Sequence, residues 1–294
     1  MSTNDLQEIA STIGFDACGA AKAEYLDEDA AVLRRWLDLH HNGSMQYMEN
    51  NFQKRVNPQQ LVPGCQTVIV CLLNYYTGEQ QLNNAPYIAQ SGLSAEDYHQ
   101  VMKQYLTLLE KQITEKLGQQ AFSQTHQHLF CDSAPVLERR WASRAGLGWI
   151  GKNKQFINPK TGSFCHIGIL LMNSELSSYS VPYDDNPCQD CDLCIKACPT
   201  GALRGEMFDA RKCISYLTIE RKEPLDAKYK KAVETVLYGC DTCAKVCPFN
   251  QHLTPTHISG LKADNKLLEM TQADWNNTSR RQKLKLLRRL APNK

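Results

Sequence analysis

At 294 residues the chain is long enough for one large domain and one small one, and its 42% apolar content can supply a sizeable core. A formal net charge of +2 gives no bulk signal of a nucleic-acid binder, and no apolar run approaches the roughly 18 residues that mark a membrane-spanning helix. The first residues, MSTNDLQEIAS, carry no basic stretch followed by an apolar one. A secretory leader is therefore not expected, and a cytoplasmic setting is. Disulfides are rare there, so thirteen cysteines need another explanation.

Residues 5–13 are expected to form a short helix, and FDACGAA a strand. A helix over 29–41 is expected to close at Gly43. TVIVCLLNYY reads as a buried strand. Ser94 and Asp97 form a capping-box pattern ahead of a long helix reaching about Leu117, with Gly118 behind it. HQHLFCD reads as a strand ending at Asp132, and PVLERRWASRAG as a helix stopped by Gly146. GLGWIGKN reads as a glycine-rich loop, and SFCHIGILLMN as another strand. From Pro187 the texture turns to short cysteine-rich loops and short helices. The Ser/Tyr/Pro/Asp stretch 177–186 marks the division. It separates an α+β domain over 1–177 from a second domain over 178–255, followed by a polar, basic tail over 256–294. Cys18, Cys65, Cys71, Cys131 and Cys165 lie in or beside apolar stretches and read as small core residues.

The other eight cysteines are not scattered. CQDCDLCIKACP places Cys188, Cys191, Cys194 and Cys198 before Pro199. This is the C-x2-C-x2-C-x3-C-P run of bacterial two-cluster ferredoxins. Three thiolates two residues apart on a tight loop can close on one iron–sulfur cube. The fourth lies a helical turn further on and projects toward a second cube. CDTCAKVCP supplies Cys240, Cys243 and Cys247 but lacks a middle cysteine, and Cys213 in RKCISYL is the natural replacement. Crossover then assigns Cys188, Cys191, Cys194 and Cys247 to one [4Fe–4S] cluster. The other takes Cys198, Cys213, Cys240 and Cys243. Structural zinc is the competing reading, but zinc sites pair CxxC units across longer spacers. Two adjacent clusters conduct electrons, and the 180 or so residues before them exceed what a bare carrier needs. No GxGxxG, GxxxxGK[ST] or HExxH motif names a further cofactor.

CDSAPVLERRWASRAGLGWIGKN, CQDCDLCIKACPTGAL, RKCISYLTIE and YGCDTCAKVCPFN, in that order, resemble the epoxyqueuosine reductase family. That family is cobalamin-dependent and related to corrinoid reductive dehalogenases. The resemblance implies a nitroreductase-like corrinoid-binding domain followed by a bacterial two-cluster ferredoxin-like domain. It implies reduction of epoxyqueuosine to queuosine at the tRNA wobble position, the last step of queuosine biosynthesis, with electrons passed through the clusters to cobalamin. Protein iron–sulfur potentials extend to about −700 mV, low enough for this task. An external low-potential donor and a monomeric state are expected. A corrinoid reductase of another substrate, or a two-cluster electron carrier, are the alternatives. One strand departs from the pattern: where members read like SWFFLGEIL, this chain reads SFCHIGILL, with Ile169 at an acidic position.

By the same resemblance Asp132 is the proton donor, while a helix-start carboxylate is the structural alternative. The strand HLF and Trp149 are expected to give it an apolar setting. Arg55, Lys152 and Asn153 match positions that the family places around the corrinoid, and Ser215, two residues from Cys213, reads either as facing it or as a capping or solvent-facing serine. Glycines 146, 148 and 151 are expected to let a flat ligand approach the backbone. DLHHNG fits a DxHxxG cobalamin-ligand pattern, but it sits at a helix end without the accompanying motifs, and His40 reads as a surface residue. RRQKLKLLRRL reads equally as a solvated amphipathic helix or as a contact for tRNA phosphates, with Arg221 and Lys222 as further candidates.

Overall fold

The structure is a computed structural model that describes residues 1–124, 126–183, 186–204 and 207–290. Its centre is a four-stranded antiparallel sheet. The strand order is Ala17–Lys22, Thr67–Asn74, Cys165–Met172 and Leu129–Phe130. Every residue of Thr67–Asn74 is buried, because helices cover both faces. Ile69, Cys71 and Leu73 face helices Thr3–Ile13 and Tyr98–Leu117, meeting Leu6, Ile9 and Leu106. Val68, Val70 and Leu72 face helices Asp27–Asp38 and Glu138–Arg144, meeting Leu33, Leu37 and Trp141. The period-2 alternation of a strand therefore feeds two apolar layers, which is why this segment reads as an unbroken apolar run. Cys18, Cys65, Cys71 and Cys131 are buried in these layers and Cys165 is half-buried.

Several boundaries differ from the sequence expectation, each for a local reason. The long helix is capped by Asp97, whose side chain accepts from the His99 N–H at 2.9 Å, and not by Ser94, which bridges instead to Ala263. Helix Asp27–Asp38 ends before Gly43. His40 then takes a left-handed φ of 54° and is exposed, and Gly43 lies beneath the Tyr216 hydroxyl, where a Cβ would collide. The 128–132 region pairs only at Leu129 and Phe130, leaving Asp132 in a bend. GLGWIGKN is not an open loop: Trp149–Ile150 pairs antiparallel with Phe156–Ile157.

The tail packs back onto the first layer. Ile258 and Leu261 enter the core of helix Tyr98–Leu117, Thr256 N–H bonds the Tyr76 carbonyl at 2.6 Å, and helix Arg280–Leu290 docks Leu286 and Leu290 against Ile88 and Leu93. Among the described residues no helix is long and apolar enough to cross a membrane.

Candidate active site and cluster site

The eight motif cysteines form two groups. Cys188, Cys191 and Cys247 all act electrostatically on the Cys194 thiol, and Cys188 and Cys191 on Cys247. Cys240 and Cys198 act on Cys213, and Cys213 and Cys240 on Cys243. Cys194 also reaches Cys243 and packs with Cys198 and Cys213, so the groups adjoin.

Burial pushes Cys243 up to about 12 and raises Cys213. Backbone N–H groups oppose this. Those of Tyr216 and Ser215 turn toward Cys213, and those of Phe249 and Asn250 toward Cys247. At Cys198 burial is outweighed by N–H groups led by that of Leu203 and by the Thr200 hydroxyl, and the thiol falls below its ordinary value. Buried sulfurs ringed by amide donors suit thiolates held by iron. Among the described residues no three His, Cys, Asp or Glu side chains converge on a single-ion position. A zinc would require sulfurs about 2.3 Å from one centre, whereas a cube holds its thiolates further apart. The donor set fits two four-thiolate clusters.

Asp132 sits on the bend after Phe130 with a left-handed φ of 51°, a conformation that aspartate adopts more readily than most residues. The Tyr98 hydroxyl donates to its Oδ2 at 3.1 Å, and its own backbone N–H donates to Glu138 Oε1 at 2.6 Å. Two expectations are corrected. Asp132 is an exposed residue, and Trp149 is not its apolar wall. The indole packs instead on Phe249, Tyr183, Cys188 and Cys247, at the first cysteine group. Nor is Asp132 a helix cap, because the following helix begins at Glu138 with Leu137 as its N-cap.

Three residues that pattern reading missed build this corner. Tyr98 is stacked between His99 and His166, with ring centroids 3.9 and 4.0 Å away. His166 is 8% exposed, and burial followed by the nearby His99 holds it down at about 3, so the imidazole is neutral. Glu138 is only partly exposed. Its enclosure by protein, and then the Asp132 charge, push it up to about 8. An acid in the first turn of a helix just beyond Asp132 was the available signal. It resembled an ordinary dipole-compensating carboxylate.

A proton bound more tightly in the folded state stabilises it below the unfolded pKa, near 4.5, and that stability is lost as pH rises through about 8. The slope from Glu138 is at most about 1.4 kcal/mol per pH unit. The thermal midpoint, measured anaerobically, should therefore fall between pH 5 and 8. Glu138→Gln, which keeps an acceptor for the Asp132 N–H, should flatten that fall. An unchanged slope would assign the titration elsewhere.

The corrinoid-contact candidates fall into two places. Arg55, 7% exposed, reaches the Tyr47 carbonyl through Nη2 at 2.8 Å, acts electrostatically on Glu138 and leaves its buried Nε without a partner. Lys152 and Asn153 lie in the turn of the Trp149–Ile157 hairpin, where a cavity is shared with Cys188, Cys191, Cys194 and Cys247. Asn153 is 4% exposed, and its Nδ2 is buried without a partner. Lys152 Nζ bonds the Gln189 carbonyl. Arg139 Nη1 ties the two places together by donating to the Lys154 carbonyl at 2.8 Å. Orphaned buried donors on both sides fit the polar edge of a corrinoid. Ser215 is half-buried beside Cys213, and among the described residues its hydroxyl makes no hydrogen bond. The glycines have another use: a Cβ at Gly146 would strike the Val181 carbonyl, at Gly148 the Ile157 carbonyl, and at Gly151 the Ile157 side chain at 2.6 Å. They let the chain approach itself.

Comparison with known proteins agrees with this arrangement. A family model described as epoxyqueuosine reductase QueG, DUF1730, matches residues 55–133, and a 4Fe-4S double cluster binding domain matches 187–250. An epoxyqueuosine reductase of Leadbetterella byssophila is 40% identical over 277 residues, 93% of this chain and 87% of that protein. The chain belongs to the epoxyqueuosine reductase family. A crystal structure of an epoxyqueuosine reductase with an epoxyqueuosine-modified tRNA-Tyr stem loop superposes with a TM-score of 0.81 at 27% identity, covering 95% of this chain and 73% of that one. An epoxyqueuosine reductase from Bacillus subtilis, with its catalytic aspartate loop swung out of the active site, gives 0.77 at 27% identity over 97% and 75%. The 187–250 match encloses all eight motif cysteines, so this member carries a double [4Fe–4S] domain.

Proposed function

We propose that this protein reduces epoxyqueuosine to queuosine at the wobble position of tRNA, using cobalamin and two [4Fe–4S] clusters. One observation carries the reading. The cavity lined by Lys152 and Asn153 is also lined by a complete four-cysteine group, which brings the electron source to the corrinoid hairpin. In this reading residues 1–177 form a nitroreductase-like corrinoid-binding domain, 178–255 a ferredoxin-like domain, and the tail a third part. Cys188, Cys191, Cys194 and Cys247 hold the cluster nearer the hairpin, and Cys198, Cys213, Cys240 and Cys243 the other. Electrons enter from an external low-potential donor in the cytoplasm, and the enzyme works as a monomer.

Bound cobalamin would supply a strongly reducing centre, with two electrons for breaking both C–O bonds of the epoxide, whose oxygen leaves as water. The chain's own residues do the rest. Arg55 and Asn153, with buried donors to spare, bind and orient the corrinoid edge with Lys152 and Ser215. Asp132 relays a proton to the departing oxygen, and solvent supplies the second. Tyr98 holds its carboxylate and Glu138 its backbone, on a loop of the kind that carries the catalytic aspartate of the Bacillus subtilis relative. An enzyme acting on a base draws it out of the stack into its pocket.

Anaerobic protein reconstituted with iron, sulfide and cobalamin should convert epoxyqueuosine in a tRNA stem loop to queuosine. Loss of turnover when cobalamin alone is left out is expected. Clusters that form normally without any product on this RNA would remove the assignment.

A further inference from the structure

The charge of this chain is unevenly placed. Helix Arg280–Leu290, RRQKLKLLRRL, carries six lysines and arginines and no acid. Those six exceed the net excess of two for the whole chain, so the remainder is net acidic. The helix is fixed to the body. Leu286 and Leu290 insert among Ile88, Leu93 and Tyr238, and Arg289 bonds Asp264 at 2.8 Å. On the face away from Leu290, Arg281, Lys285 and Arg288 follow at i, i+4 and i+7, a single stripe. All three are exposed, and among the described residues none makes a hydrogen bond or ion pair. Three uncompensated cations on one fixed face cost electrostatic energy that an anionic partner would offset.

The helix is also docked on the side of the protein that carries the chemistry. Leu93, which packs in the same apolar cluster as Leu286 and Leu290, lies shortly before Tyr98, whose hydroxyl donates to Asp132. The docked face of the helix thus packs on the segment that leads into the hydroxyl partner of Asp132. A nucleotide held at Asp132 carries its neighbours' phosphates with it.

We propose that Arg281, Lys285 and Arg288 form the surface that grips the phosphate backbone of the RNA whose modified base enters beside Asp132. This rests on the function proposed above. Phosphate contacts position the RNA and carry no sequence information, so they set affinity and salt dependence and leave the chemical step alone.

The test uses the reconstituted full chain and an epoxyqueuosine-containing stem loop. The triple variant Arg281→Gln, Lys285→Gln, Arg288→Gln should weaken binding by about tenfold or more and reduce the slope of log K against log salt by about 2. Iron content and turnover at saturating RNA should stay unchanged. Arg281→Lys with Arg288→Lys, which keeps the charge, should bind nearly as well as wild type. Unchanged affinity and salt slope in the triple variant would overturn the proposal. So would a variant that loses only binding to vesicles of anionic lipid, which would make the stripe a membrane contact. If the wild type itself fails on the stem loop, the functional reading has failed first, a result distinguishable from failure of the stripe alone.

Discussion

Replacing Asp132 with Asn should lower the single-turnover rate by about 10²–10⁴-fold, the usual contribution of a positioned general acid. The variant keeps the shape, and its amide oxygen can still accept from the Tyr98 hydroxyl that now lies 3.1 Å from Oδ2. The bond from the backbone N–H of residue 132 to Glu138 is untouched. Asparagine also tolerates the left-handed φ of 51°, so the loop need not rearrange. What disappears is the carboxyl that can relay a proton to the departing oxygen. Both clusters, cobalamin binding and RNA affinity should survive. A helix-cap role would predict little change, since Asn caps about as well as Asp, but the helix begins at Glu138 behind Leu137 and leaves Asp132 nothing to cap. A near-native rate for the Asn variant would remove Asp132 from the mechanism.

Cys213→Ala should abolish multiple turnover by removing one cluster of the two. Reconstituted wild type should hold about eight irons and the variant about four, the content of a single cube. Cys213 lies outside both dense runs, yet it is brought beside Cys198, Cys240 and Cys243. Three thiolates leave one iron without a protein ligand, while the group around Cys188 keeps all four. Iron analysis with electron paramagnetic resonance of the reduced protein reads this directly. If both clusters persist at full occupancy, Cys213 is not a ligand and the crossover assignment fails.

The expectations that held share one property: their information is local. Four cysteines inside eleven residues, closed by proline, encode a cluster loop because adjacent positions in a tight turn are adjacent in space. Thr67–Asn74 was visible because a strand buried on both faces must be apolar throughout. The expectations that failed depended on what a residue would meet from elsewhere. Trp149 looked like the wall behind Asp132, but its partners come from Tyr183 and Phe249. Ser94 fitted a capping box, but Asp97 does the capping while Ser94 bridges to Ala263.

The sequence by itself determined the two cluster motifs, the helix-and-strand texture of the first part, the family pattern running through both and the amphipathic, basic character of the last helix. Each follows from spacing along the chain, and spacing is set by covalent geometry and by helical or strand periodicity. Only the tertiary structure decided that Tyr98 and Glu138 converge on Asp132. It also decided that His166 lies buried and neutral against Tyr98, and that the last helix turns Leu286 and Leu290 inward and its cations out. These depend on contacts between segments far apart in the chain. Their energies come from desolvation and from charges at short range, which no local pattern encodes.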